Sequence, residues 1–172
     1  APAMKCRHCA AELDLTLIDL GAAAPSNAYL TEAALRAPEL HVPLRVRVCT
    51  QCWLAQTEDF AAADSLFSAE YAYFSSFSTT WLRHAEDYVE AMTRRFGLGA
   101  HSFMVEVASN DGYLLQFARA RGIPCLGIEP TASTAAAARV KGVETFEAFF
   151  GRAVAQDLAA RGRRADLMTA NN

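Results

Sequence analysis

Two pairs of cysteines, each with two residues between its members, constrain the fold of this chain more than any other feature. Cys6 and Cys9 form the first pair, and Cys49 and Cys52 form the second. A C-x-x-C turn presents two thiolates to one ion, and two such turns complete a tetrahedral site of four sulfurs. Because this geometry suits zinc and leaves no open coordination position, we predict a structural zinc ion bound by all four cysteines.

A redox-active C-x-x-C and a set of buried free thiols are the alternatives to a zinc site. A redox pair needs no second copy and normally opens a helix, and disulfides are rare in a reducing cytosol. His8 and His41 lie near the cysteines in the sequence and could replace one of them as a ligand. Cys125 falls in a predicted strand, where we expect an inert packed residue.

Residues 1–57 show the alternation of apolar and polar residues that is typical of β-strands. The segments "LDLTLIDL" and "HVPLRVRV" both alternate with a period of two, which predicts strands with one face buried. A module of about fifty residues buries little apolar surface, so a bound zinc ion would add to its stability. We therefore expect residues 1–57 to form a β-rich zinc-binding module.

The charge balance argues against a zinc ribbon that binds nucleic acid. Residues 1–60 hold five lysine or arginine residues and seven aspartate or glutamate residues. A phosphate-binding surface needs clustered positive charge, and Arg45 and Arg47 make only a small patch. No apolar run approaches the roughly 20 residues of a bilayer-spanning helix, and the N-terminus has no signal-peptide core. We expect a cytoplasmic protein with no nucleic-acid or membrane partner.

The rest of the chain is predicted to be a helical connector, residues 58–100, and an α/β domain, residues 101–172. Ser78 or Thr79 is a suitable N-cap for the connector helix, and Gly97 is a suitable C-cap. From residue 101, short apolar strands alternate with helices of about ten residues, which predicts βαβ units and a parallel sheet. The fold class is therefore α/β, a small zinc-binding β-rich module followed by the front part of a Rossmann-like sheet. Because the chain ends after the fourth predicted strand, we expect it to be part of a longer protein.

The segment "VEVASNDGYLL" ends an apolar strand with a tight turn and then begins a helix. In an open α/β sheet, ligands bind beyond the carboxyl end of a strand in this position. Gly112 could let the backbone approach a ligand closely. The dinucleotide fingerprint G-x-G-x-x-G is absent, since residues 108–111 are Ala-Ser-Asn-Asp.

Two glutamates, Glu106 in the first predicted strand and Glu129 after the second, flank this turn. A carboxylate that ends the second strand can accept hydrogen bonds from both hydroxyls of a ribose, although Glu129 could instead cap the following helix. A buried unpaired carboxylate is costly, which favours a functional role or a buried partner for Glu106. Glu106 could reach the positively charged amino end of S-adenosyl-L-methionine. This pattern fits S-adenosylmethionine better than NAD.

The chain resembles the C-methyltransferases of nucleotide-deoxysugar biosynthesis, which act at C3 of a 4-keto sugar. The matching segments follow the family's order and are "CRHC", "SNAYL", "CTQCWLAQ", "YAYFSSFSTTWLRHAEDYVEAM", "VEVASNDGYLLQF", "GIPCLGIEP", "FFG" and "ADLMTANN". The family combines a zinc module, a class I methyltransferase domain and a C-terminal domain, and this chain would cover the first and about half of the second. It departs from the family at Ala10, where a glycine commonly follows the first C-x-x-C, and at Thr169-Ala170, where a glycine is usual.

The resemblance implies a reaction and its participants. A base removes the proton next to the ketone, and the enolate carbon attacks the methyl group of the sulfonium of S-adenosylmethionine. The partner would be a nucleotide-sugar substrate. The family's general base would lie beyond residue 172, so we expect this portion to be inactive alone. Tyr71, Tyr73 and His84 are the catalytic candidates within the chain, and packed side chains are the alternative for each of them.

The resemblance also implies which residues hold the donor. Glu106, Asn110 and Gly112 would face its methionine end, and Glu129 would bind its ribose. Phe149 or Phe150 would stack on adenine unless both belong to the core, and Asn171-Asn172 would lie beside the sulfonium. Ser75 and Ser76, with Tyr71 and Tyr73, would contact donor or sugar at the mouth of the pocket. The candidate cofactor-binding residues are Glu106, Asn110, Gly112, Glu129, Phe150, Asn171, Ser75 and Ser76.

Two other functions stay open at this point. The first is a zinc-containing methyltransferase that acts on RNA or protein, and the acidic balance argues against RNA. The second is a non-catalytic, truncated binding module that retains part of a Rossmann fold. Binding of S-adenosylhomocysteine separates these functions, and we expect it to be weak or absent for residues 1–172 alone.

Overall fold

The computed structural model of this chain describes residues 4–27, 29–60, 66–67, 71 and 73–171. The strands of these residues are β1 (Leu15–Ala23), β2 (Val42–Val48), β3 (Ala55–Thr57), β4 (Met104–Val107), β5 (Cys125–Ile128), β6 (Thr145–Phe146) and β7 (Leu167–Ala170). The α-helices are α1 (Thr79–Phe96), α2 (Leu115–Ala120), α3 (Ala132–Val140) and α4 (Arg152–Ala160). Short 3-10 helices cover Ala34–Arg36 and Ser75–Phe77. Within the described part of the chain, we find no helix with the length and apolar character that crossing a bilayer requires.

The chain forms two compact units, Ala1–Leu66 and Phe67–Asn172. The domain boundaries predicted from the sequence lie after residues 57 and 100, whereas these units meet after Leu66. Helix α1 lies within the second unit because its apolar face is part of that unit's core. Ala85 and Val89 of α1 are buried in the same cluster as Met104 of β4.

The first unit is built around an antiparallel sheet with strand order β1-β2-β3. Its small core contains Cys6, Leu13 and Cys49. The prediction that both long strands are half buried is wrong for β1, because every residue of β1 is exposed. The buried residues of this unit gather around the cysteines rather than beneath the β1-β2 ribbon, and for this reason the alternating leucines of β1 stay in contact with solvent.

Ion pairs occupy the two arginines of strand β2. Arg47 Nε lies 2.7 Å from Oε1 of Glu58, and Arg45 Nη1 lies 3.2 Å from the same oxygen. Arg45 also pairs with Asp19 of β1 at 2.8 Å. Because carboxylates already neutralise both guanidinium groups, this strand face is poorly suited to bind phosphates.

The second unit contains a parallel sheet with strand order β6-β5-β4-β7, as the alternation of strands and helices predicts. Helices α1 and α2 pack against Met104 of β4, and Leu158 of α4 packs with Val105. Successive residues of a strand point to opposite faces, so the sheet has helices on both sides. The predicted fold class is confirmed: a β-rich module with a cluster of four cysteines precedes an α/β domain with a parallel sheet.

Helix α1 begins and ends at the residues that the sequence predicts. The side chain of Ser78 accepts a hydrogen bond from the backbone N–H of Trp81, which makes Ser78 the N-cap. Gly97 ends the helix in the left-handed conformation, with a φ angle of 63°.

The strand order places a topological switch point at the carboxyl end of β4. The chain proceeds from β4 to β5 and β6 on one side and then returns to β7 on the other side. The crevice outside the carboxyl ends of such strands is where open α/β sheets bind ligands. Val107, Ile128 and Ala170, the last residues of β4, β5 and β7, therefore mark the edge of the sheet where a ligand site is expected.

Candidate functional site

The four cysteines of the two C-x-x-C pairs come together in the first unit. Their Sγ atoms all lie within 4.8 Å of one another, with 3.6 Å between Cys6 and Cys52 and 3.5 Å between Cys9 and Cys49. The sulfurs of a tetrahedral zinc site with Zn–S bonds of about 2.3 Å are separated by roughly 3.8 Å. The geometry and the chemistry of this cluster therefore fit a structural zinc ion.

The two C-x-x-C turns share one backbone geometry. The carbonyl of Cys6 accepts a hydrogen bond from Ala10 N at 3.0 Å, and the carbonyl of Cys49 accepts one from Trp53 N at 2.9 Å. Ala10 and Trp53 both have left-handed backbones, with φ angles of 61° and 64°. The residue after each pair therefore adopts a conformation that glycine favours. This conformation gives a physical reason for the glycine that the resemblance leads us to expect in place of Ala10.

Hydrogen-bond donors surround the Cys6 thiol. The backbone N–H of Cys9 and the side-chain amide of Gln56 lower the pKa of Cys6 to about 6, with a smaller contribution from the N–H of His8. Gln56 Nε2 lies 3.3 Å from Cys6 Sγ. These donors favour the thiolate form that a metal requires. His8 thus acts through its backbone, and the cluster in the described residues consists of the four cysteines without His8 or His41.

A cavity of about 340 Å³ opens in the second unit at the carboxyl ends of the parallel strands. Its polar wall includes Ser75, Asn110, Glu129 and Asn171, all predicted from the sequence to contact the cofactor. The volume lies within the range of roughly 300 to 1,000 Å³ that is typical of small-molecule sites. The cavity and four of its predicted polar residues therefore coincide with the switch point of the sheet.

Aromatic side chains form most of the remaining wall. Tyr71, Tyr73, Phe149 and Phe150 line the cavity, and Phe150 also packs against the core cluster that contains Val105. Trp81 and Tyr113 line it too, with their rings stacked at a centroid distance of 5.9 Å. Flat apolar walls with a few polar groups suit a nucleoside-containing ligand.

The loop after β4 is held by the carboxylate of Glu129. Oε2 of Glu129 accepts a hydrogen bond from Asn110 N at 2.8 Å, and Oε1 accepts one from Thr131 N at 3.0 Å. Ala108 and Asn110 have positive φ angles of 54° and 50°, which turn the backbone of this loop toward the glutamate. Glu129 therefore both lines the cavity and contacts the residue that precedes α3, so the two alternatives for it are not exclusive.

The side chain of Asn110 binds the segment before α1. Oδ1 of Asn110 accepts a hydrogen bond from Ser75 N at 2.9 Å, and Nδ2 donates to the carbonyl of Tyr73 at 3.0 Å. Both residues line the cavity. Asn110 therefore shapes the cavity by joining one wall to the loop that follows β4.

Glu106 of β4 is an ionisable residue in an apolar environment. It is fully buried, and neither carboxyl oxygen has a hydrogen-bond partner among the residues that the structure describes. Burial raises the pKa of Glu106 to about 8, although Tyr113 and Asn171 lie close enough to lower it, and the carboxylates of Glu129 and Asp111 raise it further. Asn171 Nδ2 donates to the hydroxyl of Tyr113 at 3.1 Å. Glu106 is thus in contact range of two residues that line the cavity, without lining it itself.

Besides Glu106, the predicted site residues Gly112, Ser76 and His84 lie outside the cavity wall. A side chain at Gly112, where φ is 75°, would lie 3.1 Å from Val143 and 3.2 Å from Ala138, so this glycine allows the loop to pack against α3. Ser76 accepts a hydrogen bond from Lys141 at 2.6 Å. His84 is exposed on α1. Asn172, predicted to lie beside the sulfonium, falls outside the described residues.

The packed alternative fits His84, because its ring stacks on Trp81 at a centroid distance of 5.1 Å. Sequence reasoning missed Trp81 and Tyr113 as wall residues and Gly127 as a steric requirement. A Cβ at position 127 would lie 2.9 Å from Cβ of Ser109 and closer still to its Oγ. The position of Tyr113, directly after the glycine of the ligand loop, could have identified it.

Comparison with known proteins gives the relatives of this chain. Residues 6–67 match the family described as "Putative zinc binding domain". The chain is 30% identical to the C-methyltransferase NovU of Streptomyces niveus over 160 residues, which are 93% of this chain and 38% of NovU. The chain therefore spans well under half the length of this relative. The predicted resemblance to C-methyltransferases with an N-terminal zinc module is confirmed by these two matches.

Two solved structures have a local likeness to the chain. One is a SAM-dependent methyltransferase from Thiobacillus denitrificans in complex with S-adenosyl-L-homocysteine, at 22% identity and a TM-score of 0.29 over 38% of this chain and 29% of that chain. The other is YjhP from E. coli, at 17% identity and a TM-score of 0.30 over 60% of this chain and 34% of that chain.

Proposed function

Because the chain resembles a C-methyltransferase over most of its length, we propose that it is the zinc-binding and donor-binding portion of an S-adenosylmethionine-dependent C-methyltransferase. The acceptor in this proposal is C3 of a nucleotide-linked 4-keto-deoxysugar, which reacts as its enolate. The observation that carries the donor assignment is the cavity at the switch point of the sheet. Glu129 lines this cavity, and the buried carboxyl group of Glu106 lies next to two of its wall residues.

The hydrogen bond between Asn110 and Glu129 argues against a dinucleotide as the ligand. In a dinucleotide-binding loop, backbone N–H groups at this place receive the pyrophosphate. Here Asn110 N already donates to Glu129 Oε2, so the loop directs a carboxylate toward the place of a phosphate. A second anion at this N–H would be repelled by Glu129. A ligand with a neutral ribose and a cationic end is a better match.

The residues of the chain have distinct tasks in this proposal. S-adenosylmethionine, when bound, supplies an electrophilic methyl group on a sulfonium. Glu129 would accept hydrogen bonds from the ribose, since each of its oxygens can accept more than the one bond from the backbone. Phe150 would stack against adenine. The positive charge of the methionine end, on the other side of Tyr113 and Asn171, would favour ionisation of Glu106, whose carboxylate would then compensate that charge.

The acceptor would enter from the side of Tyr71 and Tyr73. Both residues line the cavity, and about half of Tyr73 is exposed. A tyrosine hydroxyl in this position can donate a hydrogen bond to an enolate oxygen or to a phosphate. The deprotonation at C3 requires a base that we do not assign to this chain. A zinc ion held by the four cysteines would have a structural role, because four thiolates would leave no coordination position open for a substrate.

Calorimetric titration of the zinc-loaded chain with S-adenosylhomocysteine tests the donor assignment. The sequence alone predicts weak or absent binding, but the cavity walls come from residues of a single unit, so we now expect measurable binding. NADH, titrated in parallel, should not bind. Binding of NADH with equal affinity, or no response to S-adenosylhomocysteine at millimolar concentration, would contradict the proposal and favour a non-catalytic module.

An activity assay of the protein that this gene encodes tests the acceptor assignment. Incubated with S-adenosylmethionine and a nucleotide-linked 4-keto-deoxysugar, the protein should add one methyl group at C3, which mass spectrometry and NMR detect. In deuterated buffer, the C3 proton should exchange when S-adenosylhomocysteine replaces the donor, because enolisation does not need the methyl group. Methylation of an RNA or protein substrate instead of the sugar would overturn this part of the proposal.

A further inference from the structure

Lys141 connects three separate segments of the second unit with one ammonium group. Its Nζ donates to Ser76 Oγ at 2.6 Å, to the carbonyl of Asp111 at 2.8 Å and to Asp111 Oδ2 at 2.8 Å. Lys141 directly follows α3, Asp111 belongs to the loop after β4, and Ser76 lies in the 3-10 helix Ser75–Phe77. All three hydrogen bonds of the ammonium are thereby used within the protein.

The ion pair between Lys141 and Asp111 lies largely out of solvent. The Asp111 side chain is 4% exposed and the Lys141 side chain is 29% exposed. One oxygen of Asp111, Oδ1, is buried without a hydrogen-bond partner among the described residues, so Lys141 provides most of the compensation for this carboxylate. Such a pair is costly to break from one side, because the remaining charge is left buried.

The segment that Lys141 holds is a wall of the ligand cavity. Ser75, next to Ser76, lines the cavity and donates its N–H to Oδ1 of Asn110. Asn110, next to Asp111, also donates to the carbonyl of Tyr73. The Asn110-Asp111 dipeptide is therefore connected to this wall in two ways. Asn110 binds the wall directly, and Asp111 binds Lys141, which in turn donates a hydrogen bond to Ser76.

We propose that Lys141 is a positioning residue for the ligand cavity, which fixes the wall formed by Tyr73–Ser75 by tying Ser76 to Asp111. Lys141 itself does not line the cavity, so its effect on a ligand passes through the wall. A wall held in place before binding reduces the ordering that a ligand must impose, which strengthens binding. This inference rests on the proposed function only for the choice of S-adenosylhomocysteine as the probe.

The test compares Lys141→Met with Arg139→Met in the zinc-loaded chain. Arg139 is a matched control because it lies two residues before Lys141, at the end of α3, and pairs with Glu147 at the surface, away from the cavity wall. We expect Lys141→Met to weaken S-adenosylhomocysteine binding about tenfold and Arg139→Met to change it by less than about twofold. Lys141→Arg keeps the charge and should stay within about threefold of the wild type. Equal losses in the Met variants would overturn the proposal.

Hydrogen exchange gives a second readout that does not depend on the ligand. The Ser75 amide should exchange at least about tenfold faster in Lys141→Met, while amides of β4 and α1 keep their rates. If the wild-type chain does not bind S-adenosylhomocysteine, the proposed function fails, but this exchange rate still decides the task of Lys141. An unchanged rate at Ser75 would show that the wall does not depend on Lys141.

If Lys141→Met unfolds the second unit, the variant Ser76→Ala still tests the proposal. This variant removes one hydrogen bond and leaves the pair of Lys141 and Asp111 intact, so the unit should remain folded. We expect about threefold weaker binding and faster exchange at Ser75. In the Lys141→Met background, Ser76→Ala should cause no further loss of binding, because both substitutions remove the same hydrogen bond between Lys141 and Ser76. A full additional effect there would mean that Ser76 contacts the ligand directly and would contradict the proposal.

Discussion

The backbone N–H of Asn110 donates a hydrogen bond of 2.8 Å to Oε2 of Glu129. This bond joins the loop after β4 to the end of β5, the neighbouring strand of the parallel sheet. It also fixes Asn110 in its left-handed conformation, from which the side chain reaches Tyr73 and Ser75. One carboxylate thus sets the shape of the loop and, through Asn110, the position of a cavity wall.

Glu129→Gln should therefore weaken both the fold and the site. Glutamine keeps the shape of the side chain but offers one acceptor oxygen to the two N–H groups of Asn110 and Thr131, so one donor loses its partner. We expect the free energy of unfolding to fall by about 1 to 3 kcal/mol and binding of S-adenosylhomocysteine to weaken at least about tenfold. Urea titration and calorimetry measure the two effects.

The control for this change is Glu147→Gln, which removes a carboxylate that pairs with Arg139 at the surface. Exposed ion pairs contribute little, so this variant should stay within about 0.5 kcal/mol of the wild type and bind normally. Equal behaviour of the two glutamine variants would mean that the hydrogen bonds of Glu129 do not hold the loop.

Removal of zinc should unfold the first unit and spare the second. The core of the first unit is built around the cysteines, whereas the parallel sheet has separate cores on both of its faces. Metal analysis should give about one zinc per chain, and a strong chelator should release it with loss of signals from residues 4–60 in NMR spectra. Five freely titrating thiols and no bound metal would contradict the zinc assignment.

Ala10→Gly should stabilise the zinc-binding unit. Ala10 has a φ angle of 61°, where a side chain is strained and glycine is not. The relief of strain exceeds the extra entropy of glycine in the unfolded chain, and we expect a gain of about 0.5 to 1 kcal/mol. Ala22→Gly is the control, because Ala22 is exposed within strand β1 and has no positive φ angle, so this variant should lose about 0.5 to 1 kcal/mol. A loss of similar size at Ala10 would show that this turn is not strained.

The sequence predicts the elements of the second unit well because each has its own local pattern. The strands ending near Val107 and Ile128 are short apolar runs, and the caps of α1 at Ser78 and Gly97 follow from the chemistry of single residues. The cluster of four thiols also follows from spacing, because few other structures use two C-x-x-C turns. These features depend on neighbours along the chain rather than on the rest of the fold.

Contacts between distant segments could not be predicted in this way. Alternation in β1 predicts one buried face, but burial requires a second layer, and the core of the first unit forms elsewhere. Gly112 is read as a place where a ligand approaches, yet its missing side chain makes room for Ala138. Lys141 has no motif at all, since its partners Ser76 and Asp111 are 65 and 30 residues away.

Glu106→Gln should reveal the cost of the buried carboxylate through its dependence on pH. Burial raises the pKa of Glu106 from 4.5 to about 8 in the folded chain. The unfolded chain therefore loses this proton at lower pH than the folded chain, and the contribution of Glu106 to stability falls as the pH rises from about 4.5 to about 8. Glutamine cannot ionise and escapes this loss.

The difference in free energy of unfolding between Glu106→Gln and the wild type should thus be small at pH 5 and favour the variant by about 4 to 5 kcal/mol at pH 8.5, since the pKa rises from 4.5 to about 8 and one pKa unit corresponds to about 1.4 kcal/mol. The same variant should bind S-adenosylhomocysteine at least about tenfold more weakly, because glutamine cannot ionise to compensate the ammonium group of the ligand. Urea titrations at the two pH values measure the first effect, with exposed Glu86→Gln as a control that should change by less than about 0.5 kcal/mol at either pH. If the free energies of unfolding of Glu106→Gln and the wild type differ by the same amount at both pH values, Glu106 is charged in the folded chain throughout this range. A cation or hydrogen-bond donor of the protein would then stabilise the carboxylate.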